Sequence, residues 1–216
     1  MSSQYVDDAP LPRAPVGPID PRTGRELRPL TLLGHPVLHA PAAEVTDFDD
    51  ELGRLVDDMF ASMYAARGVG LAATQVGVGL RVFVYDCGPG VTGHVVNPIC
   101  ATVPGDLQDD DEGCLSVPGL YYPTVRAMRA TVTGVDRNGE PVQIEGEELL
   151  ARCLQHETDH LSGMVYLDRL GGRTRRNALA EARAAEWAGQ RWKPLTPAPP
   201  RVGPPAGTAQ ERARVE

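Results

Sequence analysis

The sequence predicts an α+β domain in which antiparallel sheets pack around a central helix, with a further helix near the C-terminus. Three observations lead there. Segments of strand character come in runs and hairpins, and do not alternate one-for-one with helices. An Asn138-Gly139 pair, the strongest short hairpin signal, separates two of them. Three other stretches repeat apolar residues at helical spacing.

Taken in order, Asp49 to Arg67 reads as the first helix. Leu52, Leu55, Val56, Met59, Phe60 and Met63 fall on one face, with Thr46 or Asp47 as cap and Gly68 as stop. Leu80 to Tyr85 and His94 to Ile99 read as strands. Val125 to Asp136 and Pro141 to Ile144 flank the Asn-Gly turn. Glu147 to Leu161 is the second helix, ended by Gly163, and Arg173 to about Ala188 is an amphipathic third helix rich in Ala and Arg.

Of the 20 prolines, six lie in residues 1–29 and six in residues 193–216, and neither end shows apolar periodicity. Both read as disordered Pro-rich tails around a single catalytic domain at 30–192. The chain's 216 residues are 42% hydrophobic and 23% charged, a globular balance, and only 5% aromatic, so the core must be aliphatic. A net charge of −8 argues against nucleic acid or an anionic membrane as partner. No apolar run is long enough to cross a bilayer. The start lacks the basic-then-apolar layout of a secretory signal, which predicts a cytoplasmic address. The four cysteines, Cys87, Cys100, Cys114 and Cys153, form no CxxC pair and are expected as reduced thiols. Core packing accounts for Cys87, Cys100 and Cys153; Cys114 stands apart.

The chemistry begins at Gln155-His156-Glu157-Thr158-Asp159-His160. Histidines four apart project from one face of a helix and can reach one ion, while Glu157 can approach a bound water without being a ligand. This is the HExxH arrangement of metal hydrolases. Two solvated histidines at chance spacing would not need Glu157 at that step. A catalytic site needs a third ligand and an open position. In the extended HExxHxxGxxH pattern Gly163 is in place, but Tyr166 occupies the position of the third His. A downstream glutamate ligand would be Glu181 or Glu186, both more simply read as part of a solvated face. Cys114, in Asp111-Glu112-Gly113-Cys114-Leu115-Ser116, sits among small and acidic residues unlike a strand core, and would complete an N₂S set. Gly68-Val69-Gly70-Leu71-Ala72-Ala73-Thr74-Gln75 lacks the Lys of a phosphate loop. It suits a wall for substrate backbone, with Gln75 able to donate to an oxyanion.

The segments GVGLAATQ, EGCLS and QHETDHLSG, in that order, together with Leu33-Gly34-His35-Pro36-Val37-Leu38, resemble the signature segments of the peptide deformylase family over roughly Pro29 to Leu170. That resemblance implies removal of the formyl group from formyl-methionyl nascent polypeptides; the ribosome is the expected place of encounter and a monomer the expected state. It implies Cys114, His156 and His160 as ligands of one divalent metal ion, Fe²⁺ in the cell, with Zn²⁺, Ni²⁺ or Co²⁺ able to substitute. Glu157 would be the acid/base, Gln75 and the Leu115 amide would hold the oxyanion, and Gly70 would contact substrate backbone. Leu149 and Cys153, at i−7 and i−3 from His156, would wall the methionine pocket. Two departures stand out. Tyr121 occupies a position where many members carry Arg, a role Arg126 could take over, and Arg152 occupies an apolar pocket position. An HExxH endopeptidase using Glu181, or a non-catalytic metal-binding relative, are the rival readings; intact Glu157 and Gln75 speak against the second.

Overall fold

A computed structural model describes residues 17–195. Strands β1 (Ile19–Asp20) and β2 (Arg25–Glu26) form a small hairpin. The buried Asp20 carboxylate closes it by accepting from Arg22 Nε at 3.0 Å and Nη2 at 2.6 Å. Leu27 then plugs fully into the core. β3 (Leu30–Thr31) pairs with β11 (Trp192–Lys193), and Leu195 is buried beyond it. The domain therefore extends past both expected boundaries: residues 17–29 and 193–195 are folded parts of it. Proline density misplaced these edges because one leucine at each end is enough to anchor a short strand. Residues 1–16 and 196–216 of the expected tails lie outside the described residues.

Helix α1 (Asp50–Ala65) starts at Asp49, whose side chain accepts from the amides of Glu51 at 2.9 Å and Leu52 at 3.0 Å. That is the N-cap role expected of Thr46 or Asp47. Leu52, Leu55, Val56, Met59 and Met63 are buried as the spacing requires, each worth about 1.5–3 kcal/mol. At its C-terminal end Arg67, not Gly68, takes the left-handed conformation (φ 60°).

β4 (Gly70–Ala72), β5 (Val82–Asp86), β6 (Thr92–Thr102), β9 (Arg129–Val135) and β10 (Pro141–Glu147) form one antiparallel sheet in the order β10-β9-β6-β5-β4. β7 (Leu107–Cys114) and β8 (Val117–Ala127) make a separate two-stranded ribbon. The single strand expected over Val125 to Asp136 is thus two strands in different sheets, divided at Met128; residue alternation does not report a change of partner. The Asn138-Gly139 turn is as expected, with the Asp136 carboxylate accepting from the amides of Asn138 at 2.7 Å and Glu140 at 2.9 Å.

Helix α2 (Glu148–Leu161) is central, packed against β4, β5, β6, β9 and β10 and reaching β8. Ala151, Cys153, Leu154 and Leu161 face apolar core, yet Arg152, Gln155, His156, Glu157, Asp159 and His160 are buried too. Gln155 docks the helix on the strand break: its amide accepts from Ala127 N–H at 3.1 Å and donates to Ala127 O at 3.0 Å. α3 (Gly172–Ala184) stops four residues short of the expected Ala188.

Candidate active site

His156 and His160 stand one turn apart on α2, and their Nε2 atoms lie 3.2 Å apart. Cys114 ends β7 at the turn of the ribbon, after Gly113, where a Cβ would come 2.4 Å from the exposed Tyr121 ring. The turn brings Cys114 Sγ to 3.2 Å from His160 Nε2. The donor atoms of Cys114, His156 and His160 all lie within 4.8 Å of one another, and they are the group of that kind among the described residues. Three donors converging this closely are held more readily around a cation than against one another, and one thiolate with two imidazoles suits Zn²⁺, Fe²⁺, Co²⁺ or Ni²⁺. The residues present fit such an ion.

His156 Nδ1 donates to Glu112 Oε1 at 2.6 Å, which orients the ring and leaves Nε2 toward the other donors. Glu112 is buried and its oxygens also accept from Arg126 Nε at 3.0 Å and Arg152 Nη1 at 2.7 Å. Burial alone would raise this carboxyl; hydrogen bonds from Arg126 and His156 overcome it and hold the group well below the usual carboxylate range. Arg126, fully buried, spans from Glu112 to Asp159 Oδ2 at 2.6 Å, and Arg169 closes on Asp159 from outside. Arg126 is thus paired with two buried carboxylates, while Tyr121 is exposed. Arg152 is buried and donates to Glu112 and to Thr124 O at 2.8 Å. Glu112 is the main residue sequence reasoning passed over, having been read only as acidic surroundings for Cys114. Its sole signal was adjacency.

Glu157 is buried, and Oε2 has no protein hydrogen-bond partner. Desolvation pushes its carboxyl up to about 7, with His156 opposing and Glu112 reinforcing the rise. Gly70 makes room for it, since a Cβ there would lie 2.3 Å from Glu157 Oε1 and 2.7 Å from Cys153 Sγ. Gln75 lies in the short helical turn after β4. Its Oε1 accepts from Ala72 N–H at 2.9 Å, which fixes the amide so that Nε2 points to Ser116 Oγ at 3.3 Å and Cys114 Sγ at 3.5 Å.

A cleft of about 390 Å³ brings together Gly70, Gln75, Cys114, Leu115, Cys153, His156 and Glu157, with Leu149 at its half-exposed rim and Arg152 in its wall. His160 lies fully buried behind it. Tyr166, in the third-His position of the protease pattern, stacks on His156 at 6.3 Å between ring centres and donates to Leu120 O at 2.9 Å. Glu181 is exposed and bonded to Tyr122, and Glu186 is exposed; neither belongs to the donor group.

An HExxH helix with a cysteine as third donor, set in antiparallel sheet, defines a mononuclear metal-hydrolase site. The polypeptide deformylase family matches residues 27–176, and the chain belongs to that family. It is 56% identical over 164 residues to the peptide deformylase of Acidothermus cellulolyticus, covering 76% of this chain and 90% of that one. Peptide deformylase 2 of Streptomyces avermitilis is 55% identical over 175 residues, 79% of this chain and 94% of that one. Among solved structures, a peptide deformylase from Legionella pneumophila superposes with a TM-score of 0.69 at 42% identity, covering 73% and 94% of the two chains. One from Synechococcus elongatus in complex with actinonin gives 0.67 at 38%, covering 77% and 91%.

Proposed function

We propose that the chain removes the N-terminal formyl group from formyl-methionyl nascent polypeptides, releasing formate, with one divalent ion held by Cys114, His156 and His160. The observation that carries this reading is the buried Glu157 carboxylate, one oxygen unpartnered, beside a Cys-His-His group and facing an amide of fixed orientation. When bound, the ion supplies Lewis acidity that brings a water's pKa toward neutrality. Glu157 accepts the attacking water's proton as the formyl carbon becomes tetrahedral. Gln75 Nε2 and the Leu115 amide donate to the developing oxyanion; one such donor is typically worth about 3–4 kcal/mol in the barrier. Glu157 then protonates the leaving amine as the C–N bond breaks. Gly70 lets substrate backbone approach, and Cys153 and Leu149 line the pocket for the methionine side chain.

Fe²⁺ is the ion proposed for the cell, with Zn²⁺, Ni²⁺ or Co²⁺ replacing it in purified protein. The substrates arise in the cytoplasm at the ribosome, so the enzyme is placed there, acting as a monomer. Formate release from a formyl-Met peptide by metal-replete protein tests the reading. Formyl-norleucine peptides should be cleaved comparably, and formyl-Asp peptides far less well. Arg152 already spends its charge on Glu112, so equal cleavage of formyl-Asp would overturn the apolar pocket.

A further inference from the structure

The cleft lining carries two cations that the proposed chemistry does not use. Arg67 and Lys193 both line it and both are exposed, although they come from opposite ends of the chain. Arg67 follows the C-terminal end of α1, and Lys193 ends β11. Leu30, Met63, Ala66, Leu115 and Leu195 share one apolar cluster, so the end of α1, the β3–β11 ladder and the residue after Cys114 meet there. The backbone beside Arg67 lies close to that residue as well, since a Cβ on Gly68 would come 2.7 Å from Leu115 Cδ1. The ion pairs among the described residues engage other arginines and leave these two cations uncommitted.

Neither position is explained by stability alone. Arg67 takes φ 60°, the left-handed conformation that helix ends most often give to glycine. A cation at a helix C-terminus is favoured by the helix dipole, which accounts for a charge near the end of α1 but not for Lys193. Lys193 is the chain's one lysine among 21 Lys and Arg residues, and it lies beyond residues 27–176, which the family matches. Its backbone is fixed on both sides: it pairs with Leu30, Pro194 keeps it extended, and Leu195 is buried one residue further on. Only the long stem is left free, and it reaches the cleft.

We propose that Arg67 and Lys193 select formyl-methionyl peptides that carry a carboxylate among the three residues after the methionine, a preference that rests on the proposed deformylase reading of the cleft. With the methionine seated against Cys153 and Leu149, the residues that follow it must cross exposed lining, where a carboxylate meets a guanidinium and an ammonium group. The other charges of the lining compete little. Glu112 and Arg152 are paired with each other, and Glu157 is buried. Asp111, on β7, is the one exposed acid of the lining and stands against two cations. Contacts remote from the reacting carbon act alike on bound substrate and transition state, so the preference falls on KM and leaves kcat unmoved. Exposed pairs are weak, so the two together should give about fivefold in kcat/KM. Salt should erase that gain, because both partners are solvated.

The test uses the metal-replete full chain and formyl-Met peptides ending in an amide, with Asp, Asn or Lys placed in turn at each of the three following positions. At low salt the best Asp peptide should exceed its Asn counterpart about fivefold in kcat/KM through KM, and its Lys counterpart by more. High salt should level the three. Arg67→Asn, which the left-handed backbone tolerates, combined with Lys193→Gln should abolish the preference while leaving Asn peptides as good as before. Lys193→Arg should keep it, and Arg67→Asp with Lys193→Glu should turn it toward Lys peptides. A second readout needs no turnover. A water-soluble carbodiimide should couple the Asp peptide to the Lys193 amine, and trypsin, cutting after Arg191 and Arg201, should release fragment 192–201 heavier by that peptide less one water. The Asn peptide should leave the fragment unchanged. The proposal is overturned if Asp and Asn peptides are cleaved alike at low salt, if Lys serves as well as Asp, if the preference survives in the neutral double variant, or if fragment 192–201 gains no peptide. Absence of formate from every peptide would count against the proposed function, while the coupling would still judge the two cations.

Discussion

The two sides of α2 are built on opposite rules. On the side of Asp159 and Glu112, nearly every charged group is saturated: Arg126 bridges both carboxylates, Arg152 and His156 complete Glu112, and Arg169 completes Asp159. On the side facing the cleft, Glu157 Oε2 is buried with no protein partner. The first side supplies geometry and the second supplies reactivity. A buried carboxylate can be left unsatisfied only where the surrounding groups are held too firmly to collapse onto it.

Mutations on each side should separate rate from stability. Replacing Glu157 by Gln is expected to cost about 10²–10⁴-fold in formate release with fold and metal retained; elemental analysis beside the rate measurement checks this, and near wild-type turnover would remove Glu157 from its role. On the saturated side, Arg126→Met should lower stability by about 3–5 kcal/mol, because Glu112 and Asp159 would be left as uncompensated buried charges. Denaturant midpoints measure it, and a change below 1 kcal/mol would show that the network is not what holds α2. Gly70→Ala sits between the regions: the added Cβ must displace Glu157 Oε1, and misplacement of about 1 Å can cost 10²-fold. Its melting temperature should fall far less than that of Arg126→Met.

The saturated side also makes a pH prediction. Glu112 is held below its unfolded pKa of about 4.3, so its stabilisation is fully present above that pH and is lost as pH falls through the depressed folded value. Stability between pH 7 and 5 should not change through this group, whereas Glu112→Gln should flatten the loss seen in stronger acid. The smallest effect belongs to the surface. The exposed Arg129–Glu147 pair should contribute less than about 1 kcal/mol, so Arg129→Ala should leave the unfolding midpoint almost unmoved.

What sequence could reveal follows the same division. His156, Glu157 and His160 announce themselves because ligand spacing on a helix is local, and Asn138-Gly139 is readable because turn chemistry is local too. Glu112, Arg126 and Arg152 are ordinary charged residues until β7, β8 and α2 converge, so their roles exist only in three dimensions. Leu27 and Leu195 were hidden for a related reason: each lies in a Pro-rich stretch with no periodicity, and both are buried in the cluster that includes Val56 and Met59 of α1. The division at Met128 was invisible because both strands alternate alike.

The β3–β11 pair also imposes an order on biosynthesis. Thr31 waits for Trp192 before its strand has a partner, so this ladder cannot close until nearly the whole described chain has left the ribosome. Thr31 Oγ1 meanwhile donates to Thr74 O at 3.0 Å, the residue just before Gln75. The turn that carries Gln75 therefore leans on a strand whose partner is among the last pieces made. A half-synthesised copy lacks the helix that carries His156 and His160, so an enzyme proposed to trim nascent chains should itself be inactive while it is one.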